Sequence, residues 1–204
     1  MSPTEAPSEV GSARRRILDT AAELFYRHGF HAVGVDLVIE RAGVAKTTLY
    51  RHFGSKDDLI VAYLDDANAS FWAWFDGALD PAAAPVERLI GLFEAVGSLA
   101  TSRACLGCAF QVTAAEFPDP DHTGHAAALA HKQAVQRRLR ELAGAAGAAD
   151  PATLADGLLL LMDGAFAAAR MYQRSSPAAH VADAALTLIH AHTASGPRAR
   201  QAGR

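Results

Sequence analysis

Val35-Asp36-Leu37-Val38-Ile39-Glu40-Arg41-Ala42-Gly43-Val44-Ala45-Lys46-Thr47-Thr48-Leu49-Tyr50-Arg51-His52-Phe53 is the stretch whose reading decides the fold. It reads as two short helices, 35–42 and 46–52, joined by a tight turn with a glycine at its corner. Ala42 is small enough for the helices to approach, and Val44 and Leu49 can plug the space between them. Left facing outward are Ala45, Lys46, Thr47, Thr48, Tyr50, Arg51 and His52. A short helix presenting hydroxyls, cations and an aromatic suits a major groove about 12 Å wide, where Thr methyls meet thymine methyls and Lys46 or Tyr50 reaches phosphate or a base edge. Lys56 follows at a distance that lets it anchor the phosphate backbone. Many small helical domains carry a glycine turn with some surface Lys and Thr, so an isolated Ala-Gly-Val would decide nothing; the whole string does.

Outward from this core the apolar period remains helical. Ile17, Leu18, Ala21, Leu24 and Phe25 recur at helix spacing after the run Arg14-Arg15-Arg16, and Gly29 closes that helix. A further helix starts after Ser55, with Asp57 and Asp58 in its first turn. Longer helices are predicted over 58–79, 85–101, 121–144, 151–174 and 177–193, with a short one over 105–116. Pro81, Pro118-Asp119-Pro120 and the Gly/Ala run before Asp150 punctuate them, and Pro151 and Pro177 sit where a first-turn proline is tolerated. The fold class is all-α: an N-terminal three-helix helix-turn-helix domain over 12–57 and a C-terminal helical ligand-binding and dimerisation bundle over 58–194. Disordered ends are expected over 1–11 and 195–204.

The balance of 19 Lys/Arg against 22 Asp/Glu argues against a protein that coats nucleic acid indiscriminately. Residues 1–60 carry eight of each sign, so the acidic surplus lies outside the first third and a local DNA-binding face stays open. The polar start resembles no signal peptide, and no run of apolar residues reaches the roughly 18 needed to span a bilayer, so no membrane partner is expected. Two cysteines cannot build a secreted disulfide framework, which makes the cytoplasm the expected location.

The stretch from Ala42 to Leu59, Ala-Gly-Val-Ala-Lys-Thr-Thr-Leu-Tyr-Arg-His-Phe-Gly-Ser-Lys-Asp-Asp-Leu, strongly resembles the signature of the TetR family of bacterial one-component repressors. Ile17 to Phe25 and Gly29-Phe30 extend the likeness to about residues 14–60. The resemblance implies nine helices per protomer, Lys46 to His52 as recognition helix, and 151–174 with 177–193 as a four-helix dimer seam. Carried over by position, Thr47 and Thr48 would face the groove, and Tyr50 and Lys56 would contact phosphate. The implied partners are a palindromic double-stranded operator, a second copy of the chain and a small-molecule effector. Gly34 stands where the family often has a capping threonine, and Ile39 replaces a small alanine.

In the C-terminal part, Trp72, Phe75, Phe93, Phe110, Phe117, Met162 and Phe166 form a set of large, adaptable side chains. Each alone is ordinary core; together they are the candidate lining of a largely apolar effector cavity. Two tryptophans and a phenylalanine within Trp72–Phe75 cannot all point into one stripe. Cys105-Leu106-Gly107-Cys108 with His122-Thr123-Gly124-His125 offers the spacing of a tetrahedral metal site or a redox dithiol, against the plainer reading of structural thiols. No metal and no cofactor is therefore assigned, and a thiol-redox or metal-responsive regulator of the same fold is the alternative. His131, His180, His190 and His192 read as surface or cap residues. The chain is not read as an enzyme: Asp119, Asp121, His122 and His125 fall in a loop, with no positioned nucleophile or phosphate-binding loop. A helical adaptor without DNA affinity would need no such recognition surface.

Overall fold

The computed structural model describes residues 9–172 and 176–193, and among these every regular element is a helix. In chain order they are α1 (Glu9–His28), α2 (Val35–Ala42), α3 (Lys46–His52), α4 (Lys56–Gly77), α5 (Pro85–Thr101), α6 (Ala109–Glu116), α7 (Thr123–Ala145), α8 (Pro151–Tyr172), a 3-10 turn (Pro177–His180) and α9 (Val181–Thr193). The expectations for 1–8 and 195–204 lie outside the described residues, whereas 9–11, expected to be disordered, already belong to α1.

The chain forms two compact units. One holds the described residues up to Ser70 with Ala109–Ala130; the other holds Phe71–Cys108 and the described residues from His131 on. The division thus falls inside α4 and α7 rather than at the expected 57/58 boundary. In sequence the helix-turn-helix motif ends near Phe53, but α4 runs unbroken from Lys56, and its Leu59, Ile60, Tyr63 and Leu64 are buried with α1.

The first unit is built on Ile17, Leu18, Ala21 and Phe25 of α1, the period-3.6 stripe that its sequence calls for. Phe25, Phe30 and Tyr63 meet with ring centroids 5.1–5.9 Å apart, and Phe117 lies 5.6 Å from Phe30. Ser55 caps α4, its Oγ accepting the Asp58 N–H at 3.0 Å.

The second unit packs α5, α8 and α9 against one another around Leu89, Phe93, Val96, Leu158, Met162 and Ile189. A Cβ on Gly157 would stand 2.8 Å from Leu188 Cδ2, so the missing side chain admits α9 closely. By length and composition alone α8 is apolar enough to cross a membrane, contrary to the sequence reading. Its stripe of Leu154, Leu158, Met162, Ala165 and Phe166 is buried in this core. Its charged positions recur every seven residues, each with a partner: Asp156 accepts from Gln136 Nε2 at 2.6 Å, Asp163 pairs with Lys132, and Arg170 donates to the Leu106 carbonyl at 3.0 Å.

His131 corrects the reading as a surface residue. It is 4% exposed, edge-on to Phe71 at 4.7 Å. Burial, aided by the neighbouring Lys132 charge, pushes its pKa down to about 3. The folded chain therefore holds His131 neutral where the unfolded chain would protonate it. That contribution is complete above the unfolded value of about 6.5 and is lost as pH falls below it. Urea midpoints measured from pH 7 to 4 should fall, and His131→Phe should flatten that fall.

Candidate nucleic-acid interface

The α2–α3 turn is fixed by its backbone. Gly43 takes the left-handed conformation, φ 63°, its N–H donating to the Glu40 carbonyl and that of Val44 to the Ile39 carbonyl. This pair of bonds satisfies the last carbonyls of α2, and a Cβ at φ 63° would be strained. At the other end Gly34 is extended and provides no side-chain cap, as its lack of an oxygen requires. Leu49, fully buried, roots α3 on the unit below.

With Leu49 inward, Ala45, Lys46, Thr47, Tyr50 and Arg51 are exposed, and Thr48 and His52 are half-buried at the flanks. Seven of the eight sequence-derived DNA-contact residues thus lie on or beside one helix. Lys46 Nζ is 3.1 Å from Asp36 Oδ1, and this carboxylate raises the Lys46 pKa and keeps it charged. Both partners are solvated, so exchanging Asp36 for a phosphate would cost little. Lys56, the eighth, is half-buried, and its Nζ donates to the Phe30 carbonyl at 2.6 Å. An ammonium has three donors, which leaves it two for a phosphate.

Sequence reasoning missed a further cation. Arg14 lies over the Phe53 ring at 5.0 Å, at the end of α3. Arg15 is held by Asp66 at 2.9 Å and Asp19 at 2.7 Å, whereas Arg14 and Arg16 are exposed and have no ion pair among the described residues. The signal was present in Arg14-Arg15-Arg16, read only as a helix start.

The seven aromatic and Met candidates for an effector lining are divided. Trp72, Phe75, Phe93, Met162 and Phe166 belong to the second unit, where Phe75 and Phe93 are fully buried and Phe71, Trp72 and Phe75 pack ring on ring at 5.4–5.7 Å. Phe110 and Phe117 belong to the first unit, carried there by α6 and the turn after it.

The candidate metal set is likewise divided between the units. Cys105 is buried in the second unit's core and Cys108 is half-buried against it, both as free thiols. His122 and His125 belong to the first unit. The His122 ring stacks on Phe117 at 4.0 Å with Nδ1 accepting the Gly124 N–H, and His125 Nδ1 bonds the Phe117 carbonyl at 2.7 Å. Among the described residues, no group of three or more His, Cys, Asp or Glu side chains is gathered as a metal would require. Asp119 is spent on a turn, accepting the Asp121 N–H at 3.0 Å.

Residues 17–63 match the family model for bacterial regulatory proteins of the tetR family. The transcriptional repressor KstR2 of Mycolicibacterium smegmatis is 35% identical over 91 residues, which are 45% of this chain and 44% of the repressor, so the chain spans less than half the length of that curated relative. Two solved structures match along most of their length. A TetR-family transcriptional regulator from Streptomyces coelicolor is 35% identical with a TM-score of 0.80, over 89% of this chain and 94% of the other. A TetR-type regulator from Streptomyces avermitilis is 34% identical with a TM-score of 0.78, over 88% and 97%. Because the likeness runs beyond residues 17–63 through the helical bundle, this chain belongs to the TetR family of bacterial regulatory proteins.

Proposed function

We propose that this chain is a cytoplasmic transcriptional repressor that binds a palindromic operator as a homodimer and releases it when a small, largely apolar molecule binds the second unit. The observation that carries the reading is the exposed Lys46/Thr47/Tyr50/Arg51 face, held over the buried Leu49 by the Gly43 turn. A duplex selected from a random pool should be shifted at nanomolar to micromolar concentration, and the affinity should fall steeply with salt. Absence of any selected duplex would overturn the proposal.

Residues should divide by role. Thr48→Ala should weaken the selected duplex by about 5- to 10-fold, with little change on random duplex, because a base-edge contact alone is lost. Lys56→Ala should weaken both duplexes alike and lower the slope of log affinity against log salt by about 1. An unchanged slope would confine Lys56 to its bond with Phe30.

The homodimer reading rests on α8 and α9. Leu160 is 73% and Met171 75% exposed, and a shallow apolar groove of about 310 Å³ runs past Leu160, Leu161, Gly164, Ala168, Val181 and Ala184. Exposed apolar surface of this kind supports an interface, and a self-complementary one closes as a two-fold dimer. For the effector, Trp72, Phe75, Phe93, Met162 and Phe166 are the lining residues proposed, all within one unit.

A further inference from the structure

The segment 109–130 belongs to the first unit by its contacts, yet at both ends the chain continues into the second. The polar fastening of this segment to the α1–α2 turn centres on Glu116, the last residue of α6. Glu116 Oε2 accepts the N–H of Phe30 and that of His31, both at 2.8 Å. Two successive backbone N–H groups converging on one anion form a nest, and a carboxylate makes each bond charge-assisted. The other oxygen, Oε1, occupies the place a Gly29 Cβ would take, and Gly29 is left-handed at φ 81°. His31 returns the grip, its Nε2 lying 2.9 Å from the Glu116 carbonyl. On the far side of the same residue Lys56 Nζ holds the Phe30 carbonyl. The peptide groups on either side of Phe30 are thus both fastened to α6, and the second is held by the start of α4 as well. Five residues later the chain enters α2, and α2 carries α3 through the fixed Gly43 turn.

We propose that Glu116 is a positioning residue for the reading head: its carboxylate, seated in the Gly29–His31 backbone nest, sets the heading at which α2 and α3 are presented to DNA. The proposal rests on the DNA-binding reading above. Loss of the carboxylate leaves two N–H groups without their acceptor and frees the turn, while every residue of the α3 face remains. Such a head should still bind, but it should no longer hold one spacing between half-sites.

The test compares a duplex selected by the wild-type protein with the same duplex carrying one base pair inserted at its dyad, which rotates the half-sites by about a tenth of a helical repeat. The wild-type protein should prefer the parent duplex. Glu116→Ala should reduce that preference by at least about fivefold, as expected for a lost charge-assisted bond. Glu116→Gln should retain it, since one amide oxygen can accept both N–H groups. Glu116→Asp keeps the charge but falls short of the nest and should behave like Ala; it decides the matter if the Ala variant does not fold. A general loss of fold would lower both affinities equally, so an unchanged preference in the Ala and Asp variants overturns the role. Amide exchange at Phe30 and His31 is read without DNA: it should speed up in Glu116→Ala and not in Glu116→Gln. Unchanged exchange overturns the clasp even if the wild-type protein selects no duplex, an outcome that by itself would overturn only the DNA-binding reading.

Discussion

A Gly164→Glu protein should sediment at the 21.5 kDa of a single chain, whereas the parent should sediment at twice that mass. Gly164 lies in the middle of α8 and is exposed, and a Cβ built on it meets nothing within 4 Å. Nothing within the protomer crowds that position, and glycine there costs about 1 kcal/mol of helix stability relative to Ala. Its position in the groove beside Leu160 and Ala168 gives it a role if a second α8 lies against it, where a bare backbone allows close approach. Glutamate there strengthens the isolated helix and places an unpaired carboxylate in the apolar seam, at a cost of several kcal/mol. Joining two half-site contacts raises apparent affinity by about 10² to 10⁴, and a monomer forfeits it. Operator binding should fall by that order while helicity and the melting of the protomer are kept. Gly164→Ala, a smaller intrusion, should fall between. A Gly164→Glu protein that remains dimeric would move the seam elsewhere.

How much of this was legible in the sequence depended on whether the deciding contacts were local. The α2–α3 turn was, because Gly43, Ala42 and Leu49 settle it within a dozen residues, and the bounds 35–42 and 46–52 are those observed. The start of α6 was not. The reading placed a helix from 105, but Gly107 stands at φ 100° and its bare Cα sits against Phe166 and Arg170 of α8, so the chain turns there and α6 begins at Ala109. That partner lies some sixty residues away, beyond any local pattern. His131 was readable and was misread. Ala128, His131, Val135, Leu139 and Leu142 recur at three and four residues and are all buried, so the stripe itself placed the imidazole in the core.

The division of the aromatic set has the same origin. Phe110 and Phe117 were grouped with Trp72 and Phe93 on composition, and composition does not say which unit a helix joins. What carries α6 to the first unit is a carboxylate 86 residues from the N–H that it binds, together with a Phe117 ring set between Phe30 and His122. Nothing in the spacing of Glu116 distinguishes it from a solvated helix end.

Leu49→Asp should do the converse of the α8 substitution: abolish DNA binding while leaving the chain dimeric. Leu49 is fully buried, and it is the buried residue that roots α3 on the rest of the first unit. Truncation to Ala would cost about 2–5 kcal/mol through lost transfer and a cavity. Aspartate adds the penalty of a buried charge, against a total domain stability of about 5–15 kcal/mol. A head whose α3 spans only Lys46–His52 has no length of helix to stand without that contact, since isolated helices shorter than about 12 residues are marginal in water. The seam proposed on α8 and α9 belongs to the other unit, which has its own core around Leu158, Met162 and Ile189. Circular dichroism should therefore lose helix in part rather than wholly, sedimentation should still give the dimer, and no duplex should be shifted at any salt concentration. Taken with Gly164→Glu, the two variants separate reading from pairing. If Leu49→Asp also became monomeric, the two units would melt as one, and the independence that the first variant relies on would have to be given up.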